Sequence, residues 1–285
     1  MRNERDLPRL TRLILHYSNH MPDHRGKWRV VSLLRHLTPT LQKAQIVVER
    51  GGLTWSVDPT DYAHSQIFWH GMRDKWEIYH LRRLLRPGAV ILDVGANVGY
   101  YSLVLAHFLQ QDCTIYAFEP NPHTYECLTR NIALNGMGDV IHARHLGLSD
   151  CAGEAAFSEP VGNSGATTLV EGHGVAVSTL DSFVRANGIA RVDLIKIDVE
   201  GMERPVLEGG RRLLESTPTP MVLIEVNPPT LRRAGTSPED LIDDIRGLGF
   251  AIYEIHREVL RPLRRAPTGN DYINVLCRRV DGPGC

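Results

Sequence analysis

The 285-residue sequence predicts an α/β fold built around a mostly parallel sheet. Three observations predict it. From residue 90 onward, short apolar runs alternate with segments of helical periodicity. The run over residues 90–94 carries Asp93 near its end and passes through Gly95 and Gly99 into a helical pattern of Tyr101, Leu103, Val104, Leu105 and Phe108. This is a buried strand, a glycine turn and a helix N-terminus, an arrangement that lets backbone approach a ligand closely. Finally, the last two apolar runs have no helix between them, so they form an antiparallel pair.

The elements follow in order. Residues 1–44 place Leu10, Leu13 and Ile14, then Val30, Val31, Leu33, Leu34 and Leu37, among basic residues at helical spacing. This predicts two amphipathic helices broken near residues 21–26. They form either a helical cap on the main fold or a surface for a membrane or partner, the cap being the plainer reading. Gly51-Gly52 between residues 45–50 and 53–57 signals a hairpin. Residues 74–85 read as a helix closed by Arg86-Pro87-Gly88. Strands are expected over 90–94, 114–119, 140–146, 192–197, 221–226, 250–255 and 272–279, with shorter extended pieces over 154–158 and 175–178. Helices are expected to about 109, over 122–135 behind an Asn121 cap and Pro122, over 180–186, over 202–215 and over 238–247 behind Ser237. Glu203 is a solvated or capping acid, and Asn227-Pro-Pro-Thr230 a rigid loop. The predicted organisation is an N-terminal helical and hairpin region, residues 1–85, followed by one domain over residues 86–285.

Composition narrows the function classes. Apolar content is 42 %, ordinary for a globular chain with a sizeable core. A net charge of −1 gives no general attraction to nucleic acid or anionic lipid. Five cysteines, with no Cys-x-x-Cys spacing, read as reduced thiols, which fits a cytoplasmic protein. No apolar run approaches the ~20 residues of a membrane span, and no signal-peptide core is visible.

The second strand ends at Glu119, about 25 residues after the glycine loop, where a nucleotide-binding βαβ unit places a ribose-binding acid. A dinucleotide fingerprint would want glycine at 97 and 100; the chain has Asn97 and Tyr100. The spacing present, Asp-x-Gly-x-Asn-x-Gly, resembles the loop of S-adenosylmethionine (SAM) methyltransferases. The stretches Asp93-Val-Gly-Ala-Asn-Val-Gly-Tyr-Tyr-Ser102, Phe118-Glu-Pro-Asn-Pro122, Leu180-Asp-Ser182 and Ile195-Lys-Ile-Asp-Val-Glu-Gly-Met-Glu203 together resemble the FkbM family of methyltransferases. The resemblance implies a Rossmann-like class I methyltransferase, with a seven-stranded mostly parallel sheet whose last strand runs antiparallel. It also implies SAM as cofactor and a hydroxyl on a natural product, sugar or glycolipid as acceptor.

Ligands of an open parallel sheet bind beyond the carboxyl ends of its strands. On that rule Gly95, Ala96 and Asn97 face the methionine part of SAM, with backbone N–H groups near its carboxylate. Asp93, Gly99, Pro120 and Asn121 frame the same pocket, and Glu119 takes the ribose hydroxyls. Ser149 and Asp150 follow the third strand, where Asp150 either accepts from the adenine amine or simply forms a turn. Lys196, Asp198 and Glu200 share one side of the fourth strand. Lys196 needs a partner in its apolar surroundings, and Asp198 is the natural one. Asp198 is the leading catalytic or substrate-orienting carboxylate, and Lys196 either faces substrate or neutralises neighbouring acids. Glu200 is a second strand-end acid or a helix N-terminal one. His145 and His173 are weaker candidates for a base.

Asp198, Glu225 and Asn227 could hold Mg2+, although a metal-free reaction is favoured. Residues 162–168 form either a lid or a surface loop. The Asn227-Pro-Pro motif resembles the base grip of DNA amino-methyltransferases, but it lacks the aromatic residue and follows the wrong strand. The function read from the sequence is O-methyl transfer to a small-molecule acceptor in secondary metabolism. N-methylation, or a SAM-binding partner without catalysis, are the alternatives. The oligomeric state is open.

Overall fold

The computed structural model describes residues 2–21, 24, 26–38, 41, 43–71, 74–158, 162–166, 168–216 and 218–279. The chain opens with β1 (Arg2–Asn3), then α1 (Arg9–His20) and α2 (Lys27–Arg35). The hairpin is β2 (Ile46–Arg50) and β3 (Leu53–Val57), paired antiparallel, and β1 adds to it in parallel. Two helices follow, α3 (Tyr62–His70) and α4 (Lys75–Leu84). The sequence pattern indicates α4 but not α3. The expected break over residues 21–26 lies partly outside the described residues.

The main sheet uses β4 (Ala89–Val94), β5 (Cys113–Phe118) and β6 (Ile141–Arg144), then β10 (Leu194–Ile197), β11 (Met221–Val226), β12 (Phe250–His256), β13 (Val259–Pro262) and β14 (Ile273–Arg279). Its order is β13-β12-β14-β11-β10-β4-β5-β6. β14 slots between β12 and β11 and runs antiparallel to both. The count corrects the seven strands expected: β13 adds an eighth, folding back on β12 through a turn at Arg257 and Glu258. Arg257 holds a positive φ there with no glycine to mark the turn. A separate small sheet joins β7 (Gly147–Leu148), β8 (Gly153–Ser158) and β9 (Thr168–Ser178).

Side chains alternate across each buried strand, so the sheet has two apolar faces. On one face Ile91, Ile115, Leu194 and Leu223 pack under α5 (Tyr100–Phe108) and α6 (Pro122–Leu134). Ile14, Val31, Trp55 and Phe68 from the N-terminal region belong to this same core. On the other face Leu92, Ile195, Val222 and Ile224 pack with α7 (Leu180–Ala186), α8 (Glu203–Gly209), α9 (Arg211–Glu215) and α11 (Pro238–Gly247), the last preceded by α10 (Pro228–Arg233). The single helix expected over 202–215 is two helices. They break at Gly209 and Gly210, where a Cβ on Gly209 would overlap the Ser149 carbonyl oxygen. Asn227-Pro-Pro-Thr230, expected as a loop, opens α10, with proline in its first turn.

The cysteines Cys113, Cys127, Cys151 and Cys277 carry free thiols, and Cys285 lies outside the described residues. Among the described residues, no helix is long and apolar enough to cross a membrane.

Candidate active site

The site is built where β4 meets α5. Asp93 is buried, and its Oδ2 accepts from the Ser102 backbone N–H at 3.1 Å and the Ser102 hydroxyl at 2.6 Å. That carboxylate therefore ties the end of β4 to the first turns of α5. Gly95 turns the chain with φ 77° and crosses the end of β10, where a Cβ would overlap the Asp198 carbonyl oxygen. The position is restricted to glycine by both its backbone angle and its packing.

One expectation about this loop is corrected. The N–H groups of Gly95 and Ala96 donate to the Phe118 carbonyl, that of Asn97 to Glu119 Oε2, that of Val98 to Asn97 Oδ1, and that of Gly99 to the Ala96 carbonyl. The loop's N–H groups are thus satisfied by the protein and do not present a carboxylate cradle. Gly95, Ala96 and Asn97 still line the cleft, a cavity of about 490 Å³. Asp93, Gly99 and Asn121 do not line it; they shape it from behind. Asn121 caps α6 by accepting from the N–H groups of His123 and Thr124.

Glu119 and Pro120 also line the cavity. Each Glu119 oxygen accepts one backbone N–H, Oε1 from Asn121 and Oε2 from Asn97, both at 2.9 Å. A carboxylate has about four lone-pair sites, so each oxygen keeps acceptor capacity for a ligand. Burial pushes the Glu119 carboxyl up to about 7, against the two N–H donors and the Lys196 charge.

Lys196 projects from β10 into the same region. Its Nζ lies 3.2 Å from Asp198 Oδ2, 3.7 Å from Asp93 Oδ1 and 3.1 Å from the Gly95 carbonyl, and 5.1 Å above the Tyr101 ring. Burial alone would lower its pKa; the charges of Asp198 and Asp93 outweigh that and raise it. The Asp198 side chain is 34 % exposed, and it faces the cleft. Carboxylate oxygens of Asp198, Glu200 and Glu225 lie within 4.8 Å of one another. Burial and the neighbouring Asp198 charge push Glu200 up to about 8 and Glu225 up to about 9. Glu203, expected as a solvated or capping acid, is a buried cap. Its Oε1 accepts from the N–H groups of Val199 and Gly201, and burial pushes the carboxyl up to about 7.

Several wall residues carry no signal in the sequence. α3 contributes Tyr62, Ala63 and Ile67. Asn163–Ala166 lines the wall beside α3, anchored to the start of that helix through Asp61. Asp61 Oδ2 accepts from the Ser164 N–H at 2.7 Å while Oδ1 caps α3 at His64. Thr167, within the segment read as lid or loop, lies outside the described residues. Arg233 and Tyr272 complete the wall. Ser149 and Asp150 do not line the cavity: they lie just past β7, where the Ser149 N–H donates to the Ser178 carbonyl, and Gly147 and Leu148 line it in their place. His145 bonds the Pro120 carbonyl and His173 pairs with Glu154, both on the exterior.

The description "Methyltransferase FkbM domain" matches residues 93–252. The hexuronic acid methyltransferase AglP of Haloferax volcanii is 31% identical over 179 residues, covering 58% of this chain and 69% of that protein. The methyltransferase sdnD of Sordaria araneosa is 33% identical over 154 residues, covering 42% of this chain and 59% of that one. The 31-O-demethyl-FK506 methyltransferase FkbM of Streptomyces tacrolimicus is 29% identical over 158 residues, covering 44% and 60%. The matched segments thus span 59% and 60% of the length of the last two relatives. A crystal structure of methyltransferase FkbM from Methylobacillus flagellatus superposes with TM-score 0.47 at 18% identity, covering 74% of this chain and 49% of that one. With the domain match spanning more than half of its residues, this chain belongs to the FkbM methyltransferase family.

Proposed function

We propose that the chain transfers a methyl group from SAM to a hydroxyl of a sugar or natural-product acceptor. Glu119 carries this reading: a buried carboxylate at a strand end, facing the cleft, with acceptor capacity left on both oxygens. A ribose offers two adjacent hydroxyl donors that fit such an acceptor. The cleft wall also holds Asp74, Glu119, Asp198, Glu200 and Glu225 against only Lys196 and Arg233. Such a wall offers polar partners to the hydroxyl and ammonium groups of SAM. The names of the relatives, a hexuronic acid methyltransferase and a 31-O-demethyl-FK506 methyltransferase, support an oxygen acceptor on a sugar or natural product.

When bound, SAM supplies a methyl carbon already activated by its sulfonium. The chain's own task is to place an acceptor hydroxyl in line with that carbon and to keep water out. Asp198 is the group that accepts the hydroxyl proton, and its ion pair with Lys196 fixes its position at the cleft. α3 and the 163–166 turn exclude water from above. Glu200 and Glu225, raised to about 8 and 9, hold protons at neutral pH. Asp198 already has the Lys196 ammonium as its counter-charge at 3.2 Å, so the proposed reaction is metal-free.

The test uses SAM labelled in its methyl group, a panel of uronic acid glycans and polyhydroxylated natural products, and an amine-bearing panel. Label should appear as a methyl ether, at a rate unchanged by EDTA. Asp198→Asn should keep SAM binding and lose about 100-fold or more in turnover. Label on amines alone would overturn oxygen as the acceptor atom. A rate abolished by EDTA would overturn the metal-free reaction.

A further inference from the structure

We propose that the N-terminal helix pair docks this chain on a membrane surface that carries anionic lipid. Residues 1–44 contain nine Lys or Arg and three Asp or Glu, a net +6 in a chain whose total is −1. The rest of the sequence is therefore acidic, and the positive charge is concentrated in one segment. The structure shows what that segment presents.

Arg5, Arg9, Arg12 and His16 recur at spacings of four, three and four along the start of the chain and α1. All four line a second cavity, of about 780 Å³, floored by the hairpin residues Val47 and Val48. None of the three guanidinium groups has an ion pair or hydrogen bond among the described residues. Two acids border the groove. Glu4 lies 3.5 Å from the Arg50 guanidinium, and Glu49 sits on β2. The groove thus offers three unengaged guanidinium groups, the chemistry that recognises phosphate.

The same helices leave apolar side chains in solvent. Leu13 on α1 is 66% exposed, Leu33 on α2 is 69% exposed and Leu37 just beyond it is 66% exposed. Leu10 and Val30 extend the two rows at helical spacing. α1 and α2 pack against each other, so both rows belong to one helical hairpin. Exposed leucines beside unengaged arginines match a surface that offers phosphate outside and hydrocarbon beneath. Each basic residue held near an anionic bilayer strengthens partition about fivefold, so three arginines reach about 100-fold. Symmetric pairing with a second copy would instead press two +6 segments together. Both helices also pack against α3, whose Tyr62 and Ile67 line the catalytic cleft, so docking face and cleft share a neighbouring helix.

The experiment is flotation of the full chain with vesicles of phosphatidylcholine alone, or with about one third phosphatidylglycerol. The chain should float with the anionic vesicles, at least tenfold less with neutral ones, and be released by high salt. The variants Leu13→Glu/Leu33→Glu/Leu37→Glu and Arg9→Gln/Arg12→Gln should each lose tenfold or more, with melting temperature and SAM binding unchanged. The substituted leucines are exposed, so the fold tolerates the change. Equal flotation with both vesicle types, or variants that float like the parent, would overturn the proposal. So would phosphate binding at the arginine groove without flotation. A dimer in sedimentation equilibrium that the leucine variant dissociates, with no vesicle binding, would assign the apolar rows to self-association instead.

Discussion

Lys196→Met offers the sharpest test of how the site is held together. The ammonium is nearly fully buried; it lies 3.2 Å from Asp198, donates to the Gly95 carbonyl at 3.1 Å and forms a longer ion pair with Asp93 at 3.7 Å. Asp93 is buried, and its Oδ1 has no hydrogen-bond donor, so Lys196 is the charge that balances it. Removing one partner of a buried pair leaves the other charge uncompensated and costs about 3–5 kcal/mol. Chains of 150–250 residues lose about 2–4 °C per kcal/mol, which places the fall in melting temperature at about 6–20 °C. The assay is reversible urea or thermal unfolding of four proteins: parent, Lys196→Met, Asp93→Asn and the double variant. With Asp93 neutralised, the lysine substitution should cost at least about 1 kcal/mol less, because the stranded charge is gone. A cost under about 1 kcal/mol, or a cycle that adds within about 0.5 kcal/mol, would refute the idea that these groups form one unit.

Other outcomes follow from the same geometry. Gly95→Ala forces a side chain into φ 77° and onto the Asp198 carbonyl, so SAM binding should vanish and stability should fall by at least about 2 kcal/mol; calorimetric titration that finds parental affinity contradicts this. Glu203 and Glu119 hold carboxyls at about 7 in the fold, against 4.5 for an ordinary glutamate. Between those values the unfolded chain releases protons that the folded chain keeps. Their stabilising effect is full below about 4.5 and is lost as pH rises through about 7. The ligand-free protein should therefore melt lower at pH 8 than at pH 5.5, and Glu203→Gln, which stays neutral and keeps an oxygen for the Val199 and Gly201 N–H groups, should flatten that slope. An equal slope in the variant removes Glu203 from the account.

Much of the site was legible because its residues sit at strand ends, and strand ends follow from apolar runs. Asp93, Gly95, Glu119, Lys196 and Asp198 occupy the expected places for that reason, and the Lys196–Asp198 pair follows from period-two alternation. What was not legible depends on contacts distant in sequence. Ser149 and Asp150 lie outside the cleft, where the Ser149 N–H donates to the Ser178 carbonyl, a partner some 30 residues on that no local pattern names. α3 hides because Ile67, Phe68 and Trp69 are all buried, so the helix shows no polar face to set a period; its one local mark is the Asp61 cap. β13 hides because its residues are mostly exposed and its turn uses Arg257 rather than glycine. The loop N–H groups were misassigned because a sequence shows that donors exist, not that Phe118 and Glu119 already accept from them.

The account rests on Glu119 clasping the ribose of SAM, and calorimetric titration of SAM or its demethylated product into parent and Glu119→Ala measures that directly. The parent should bind one equivalent, more weakly as pH drops below about 7 and the carboxyl takes up a proton. The variant should lose about 10-fold or more, the worth of at least one hydrogen bond to a charged acceptor. Saturable binding that is unchanged by the substitution, or no binding to the folded parent at all, would contradict it.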